Sequence, residues 1–138
     1  MINELRAVIT TQLSRIKVPC GINEIGYRVA SDQKMYPHVI WDIDPITPTD
    51  MGRYDFIIDF NVWGKDEAKV FSIMDKIDWL LRFYNIPNNK ILPTFYTMSM
   101  GTVDDPDKTL VHGVVRVQCQ VYEVDASNDN ILNPVIAS

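Results

Sequence analysis

From Asn3 to Ile16 the apolar residues Leu5, Val8, Ile9, Leu13 and Ile16 recur at helical spacing, with Arg6, Thr10, Gln12 and Arg15 between them. Residues three and four apart share a side at 3.6 residues per turn, so this stretch reads as a surface helix with one face buried. Pro19 and Gly21 stop it, with Cys20 in a turn, and Ile22 to Pro37 reads as a loop with a candidate short strand around Tyr27 to Ala30. Val39 to Asp44 reads as a strand, with Val39, Trp41 and Ile43 on one face and Ile40, Asp42 and Asp44 on the other. Pro45, Pro48, Asp50 and Gly52 make a turn-rich connection. Tyr54 to Val62 then alternates most clearly: Tyr54, Phe56, Ile58, Phe60 and Val62 against Asp55, Ile57, Asp59 and Asn61. One face is core and the other largely polar, the pattern of a sheet covered on one side.

Asp66 is placed to cap a helix that runs to about Tyr84, with Glu67 in its first turn where the helix dipole favours negative charge. Its apolar stripe is Val70, Phe71, Ile73, Met74, Ile77, Leu80, Leu81 and Tyr84, which leaves Lys69, Asp75, Lys76, Asp78 and Arg82 for solvent. Pro87, Asn88 and Asn89 end it. Thr94 to Thr102 alternates Phe95, Thr97 and Ser99 with Tyr96, Met98 and Met100. Leu110 to Val124 sets Val111, Gly113, Val115, Val117, Cys119 and Val121 against His112, Val114, Arg116, Gln118, Gln120 and Tyr122. Between them Val103 to Thr109 is an exposed hairpin loop. The order α-β-β-α-β-β predicts an α+β fold, a small, mostly antiparallel sheet of four or more strands with both helices packed on one face. Phe56, Ile58, Phe60, Val70, Ile73, Ile77, Leu80, Val115 and Val117 are the expected core.

At 138 residues the chain reads as one domain, 1–138, ending in a tail at 125–138 that carries Ile131-Leu132 and Pro134-Val135-Ile136 in a polar setting and is read as either mobile or partner-binding. A hydrophobic fraction of 46% and a charged fraction of 22% are those of a folded globular protein. No apolar run approaches the roughly 20 residues that span a bilayer, so no membrane is expected. Met1 to Arg6 lack a basic start followed by an apolar stretch, so no signal peptide is expected. Two cysteines, Cys20 and Cys119, form no framework and read as reduced structural thiols. The net charge of −5, with Lys and Arg scattered, argues against sequence-specific nucleic-acid binding, which needs concentrated cations.

The residue types that carry chemistry are present without the spacing that chemistry needs. Asp42 and Asp44 share a strand face but lack an identifiable third ligand, and Asp104, Asp105 and Asp107 lack the central Gly and distal Glu of a calcium loop. Cys119 and His112 stand seven apart on one strand and so face opposite sides, which excludes a dyad. No nucleophile elbow and no phosphate-cradling glycine loop occurs. No enzyme activity, cofactor or metal is therefore expected. The unusual content is aromatic and methionine: Trp41, Trp63, Tyr96, Met98 and Met100 exceed what a one-sided sheet buries, and such residues are enriched at subunit interfaces.

With the first helix, Tyr36 to Trp41 leading into a strand, Ile58 to Gly64 directly before the long helix, and His112 to Glu123 as the late strand, the chain resembles the tail terminator, or tail-completion, proteins of long-tailed bacteriophages and prophages. The similarity spans about Met1 to Val124 and lies in a pattern of strand edges. It implies a virion protein at the tail–neck junction, present in the host cytoplasm during assembly. It also implies a ring, usually of six subunits, that caps the tail tube protein and meets a head-completion or connector protein. DNA then only passes through, and Asp104, Asp105 and Asp107 are the candidate channel-facing acids. The rival readings are a monomeric soluble adaptor, a head-side connector that forms no ring, and an enzyme with an unrecognised site.

Overall fold

The stripe from Leu5 to Ile16 forms helix α1 (Ile2–Leu13), tightened at its end into a single 3₁₀ turn at Ser14–Ile16. The computed structural model describes residues 2–16, 20–22, 36–44, 47–49, 53–84 and 91–123. The strand expected around Tyr27 to Ala30 and the 125–138 tail lie outside the described residues. Strands β1 (Cys20–Ile22), β2 (His38–Ile43), β3 (Thr47–Pro48) and β4 (Arg53–Gly64) lead to helix α2 (Glu67–Arg82), followed by β5 (Ile91–Val103) and β6 (Val111–Glu123). The antiparallel sheet and its two helices give the α+β fold that the alternation predicts.

The sheet runs β1-β2-β4-β6-β5, with the short β3 also paired to β4. Neighbours along β2-β4-β6-β5 are antiparallel, and β1 adds in parallel to β2. Cys20 and Gly21 thus form a strand where a turn was expected; their backbone pairs with Val39 and Ile40, and the interstrand ladder outweighs glycine's turn preference. β5 does not sit beside β4. The chain crosses over through α2 to the sheet edge, and β6 returns between the two.

Both helices cover the face that carries Val39, Trp41, Phe56, Ile58, Phe60, Val62, Val115, Val117, Cys119 and Val121, all buried in one cluster with Leu5, Ile9, Val70, Ile73, Ile77 and Leu80. Every residue of the expected core is buried. Asp66 caps α2 by accepting the Ala68 N–H at 3.0 Å, and Glu67 and Arg82 complement the dipole at its two ends. Gln12 departs from its polar assignment: it is buried, and its side-chain N–H donates to the Leu80 carbonyl at 2.9 Å, so α1 is tied to the last turn of α2. A buried amide is tolerated because it is bonded.

Phe71 also departs from expectation. It was assigned to the buried stripe but is exposed, because it turns toward the Thr102–Val103 end of β5, beyond the edge of the core. In β5 the alternation breaks at a bulge between Thr97 and Ser99. Tyr96 pairs with Gln118 on the face away from the helices, whereas Met100 comes into register with Val115, a row of the helix-covered face. One extra residue moves every later side chain to the other face, so Tyr96 and Met100 do not share a side.

Candidate functional site

Four features outside the core bear on function: an apolar sheet edge, an aromatic–histidine stack, an acidic groove and an aromatic pair on α2. β5 ends the strand order, so among the described residues no strand pairs with its outer edge. Along that edge Tyr96 and Met98 are 50% and 52% exposed, and Met100 and Val103 are also exposed. Of the proposed interface residues, Tyr96, Met98 and Met100 therefore do present surface. Trp41 does not. It is 1% exposed and stacks on Phe60 with ring centroids 6.1 Å apart, because the residue that alternates with Val39 and Ile43 faces the helices.

Trp63 is only partly exposed. It lies in a row across the sheet, registered with His38 on β2 and His112 on β6. The rings stack, Trp63 to His112 at 4.2 Å and His38 to Trp63 at 5.4 Å, and Tyr36 extends the stack 5.0 Å from His38. The indole N–H donates to Asp105 Oδ2 at 3.0 Å. His112 Nδ1 stands 4.0 Å from the same oxygen, and its Nε2 is 2.8 Å from Asn61 Oδ1. Burial pushes the His112 pKa down, and the Asp105 charge opposes that shift. Sequence spacing gave no sign that both histidines of the chain meet on one tryptophan.

This arrangement corrects the reading of the loop acids. Asp105 is turned inward against Trp63 and is not free to face a channel. Asp107 is exposed, and its carboxylate accepts the Thr109 hydroxyl at 2.6 Å and the Thr109 N–H at 2.9 Å, an Asx-type turn that holds its pKa low. Asp104 is exposed. The inward turn of Asp105 supplies the acceptor that the packed Trp63 indole N–H needs.

On the face away from the helices Asp42 lies directly opposite Asp59, and Asp59 lies opposite Arg116. The Arg116 guanidinium is 3.8 Å from Asp59 and 3.7 Å from Asp44. A groove of about 410 Å³ joins these residues to Val103 and Val114. Burial raises the Asp59 pKa, Asp44 and Asp42 raise it further, and Arg116 opposes them. The sequence pair Asp42–Asp44 thus acquires a third carboxylate, yet among the described residues no group of three or more ligating side chains is arranged to hold a metal ion. Cys119, facing the core opposite Phe56, has its thiol pushed up to about 12 by burial and is not a nucleophile at neutral pH.

The fourth feature escaped the sequence reading. Trp79 on α2 and Phe83 at its C-cap are 56% and 58% exposed, with ring centroids 5.7 Å apart and the Arg82 guanidinium 4.9 Å from the Phe83 centroid. The signal was available: Trp79 falls between Ile77 and Leu80, off the stripe that the core requires. No described helix is long and apolar enough to cross a membrane. The chain matches no family model, and a comparison with curated proteins finds no match.

Proposed function

We propose that this chain is a structural virion-assembly subunit that closes with copies of itself into a ring, capping the tail tube of a long-tailed bacteriophage and presenting the surface that the head side joins. The observation that carries the subunit reading is the exposed apolar edge of β5, with Tyr96, Met98, Met100 and Val103 along a 13-residue strand at the end of the sheet. Soluble proteins normally blunt or cover such edges, and a neighbouring subunit is one way to cover this one. The placement in a phage tail comes from the sequence resemblance, with its tube and connector partners and a ring of six.

In that reading DNA passes through the ring without being held. Asp104 and Asp107 are the loop acids free to face a channel, and their negative charge repels phosphates. The test is light scattering over a concentration series, alone and with isolated tail tubes. A closed oligomer in either condition is the expected result. Monomer throughout both series overturns the ring in favour of a monomeric adaptor.

A further inference from the structure

Two surfaces on opposite faces of the sheet carry charge of opposite sign. Trp79 and Phe83 stand on the outer side of α2, off the stripe of Val70, Ile73, Ile77 and Leu80, and contribute nothing to their own core. Arg82 lies over Phe83, and the depression at the foot of Trp79 is lined by Arg15, Lys76 and one carboxylate, Asp75. Arg82 is itself paired with Asp78 at 3.1 Å, so the aromatic knob carries Arg15, Lys76 and Arg82 against Asp75 and Asp78, three bases and two acids, which sum to +1 when all are ionised. The groove on the far side of the sheet is the reverse. Its walls include Val103 and Val114, and its polar groups are Asp42, Asp44 and Asp59 against Arg116, three acids and one base, which sum to −2 when all are ionised. Arg116 reaches two of the three at 3.7 and 3.8 Å, too far for a hydrogen bond, so acceptor capacity remains.

We propose that, in the self-association described above, the Trp79–Phe83 knob of one copy seats in the acidic groove of the next, so that the contact joins two different patches. The inference rests on the subunit reading of this protein. Pairing knob with knob would bring together two patches that each carry a net charge of +1, Arg15, Lys76 and Arg82 against Asp75 and Asp78. Pairing groove with groove would bring both sets of carboxylates together. Like charges brought together in this way oppose association, whereas knob in groove places arginine and lysine against carboxylates and an aromatic pair against valines. Within one copy the two patches cannot meet, because the helices and the groove lie on opposite faces of the sheet. A contact between unlike patches is heterologous and propagates around a ring when the rotation closes.

Complementary mixing tests this. One variant carries Trp79→Ala and Phe83→Ala, and a second carries Asp42→Lys and Asp44→Lys; circular dichroism melts establish that each is folded. A further variant with Asp42→Asn and Asp44→Asn serves if the lysines disturb the sheet. Sedimentation at concentrations where the parent assembles is expected to show each variant alone associating at least tenfold more weakly. An equimolar mixture is expected to form a dimer that grows no further, since each variant keeps one intact patch. Two outcomes overturn the inference and leave the subunit reading standing: either variant alone assembling like the parent, or a mixture of folded variants that stays monomeric. A parent that is monomeric under all conditions removes the subunit reading itself, and the knob-in-groove contact with it.

Discussion

The indole N–H of Trp63, near the end of β4, donates to Asp105 Oδ2 at 3.0 Å and so fastens the β5–β6 loop to the sheet across 42 positions of sequence. The bond gives that loop one fixed point, while Asp104 and Asp107 on either side of Asp105 stay at the surface. Replacing Asp105 with Ala removes the acceptor of the Trp63 indole N–H and of the Asp107 N–H and is expected to destabilise the fold by about 1–2 kcal/mol. Replacing Asp104 with Ala is expected to change stability by less than about 0.5 kcal/mol. Urea titration of the two variants checks the contrast, and equal losses would show that the Trp63 bond does not hold the loop.

The His112 stack predicts a pH dependence with a definite sign. Burial depresses the His112 pKa below its ordinary value of 6.5, so the folded protein favours the neutral ring. The stability this confers is present above the unfolded value of 6.5 and is lost as the pH falls through the folded value. The melting temperature should therefore fall below pH 6.5, in addition to any general acid effect. His112→Gln keeps a group able to bond Asn61 and removes the titration, and it is expected to flatten the profile in that window. An unchanged profile would place the proton elsewhere.

At Gly113 α2 comes close to β6. A Cβ built there meets the Met74 sulfur, with Val70 Cγ1 3.0 Å away. Gly113→Ala is therefore expected to destabilise by about 1–3 kcal/mol through overpacking. Adding Met74→Ala should recover part of that loss relative to Met74→Ala alone, a coupling that a double-mutant cycle measures. Gly101, with open space at its Cβ position, is the control for the loss of a strand glycine.

Aromatic truncations should divide by location. Phe60→Ala opens a cavity in the core beneath the helices and is expected to lose about 3–5 kcal/mol in denaturant titration. Trp79→Ala and Phe83→Ala remove exposed rings and are expected to change monomer stability by no more than about 0.5 kcal/mol. A loss below about 1 kcal/mol for Phe60→Ala would mean that the buried face is misassigned.

The proposed passage of DNA predicts no duplex binding near physiological salt. Gel-shift titration checks it: micromolar affinity that weakens steeply with added salt would reveal a basic binding surface and reject passive passage. Reversing Asp104 and Asp107 to Lys is expected to slow genome delivery by phage carrying the variant; unchanged delivery would show that the acids only solvate the loop.

The sequence by itself determined the two helices and the four long strands, and the buried side of most of each; the short strands Cys20–Ile22 and Thr47–Pro48 were not legible in it. Phe56, Ile58 and Phe60 at period two, and Val70, Ile73 and Ile77 at helical period, admit only one face each, because apolar burial is the dominant favourable term and periodicity fixes the face. It did not determine which long-range neighbours meet. The extra residue at Thr97–Ser99 changes the face of Met100 without altering the composition of the strand, so only the pairing with β6 reveals it. Trp41 and Trp63 are the same residue type on neighbouring strands. Alternation puts them on opposite faces, and register decides that one meets Phe60 under the helices and the other lies between two histidines. The convergence of Asp42, Asp44 and Asp59 on Arg116, and of His38 and His112 on Trp63, is likewise a product of the strand order β2-β4-β6. Cross-strand neighbours are set by register and topology, which local patterning does not encode.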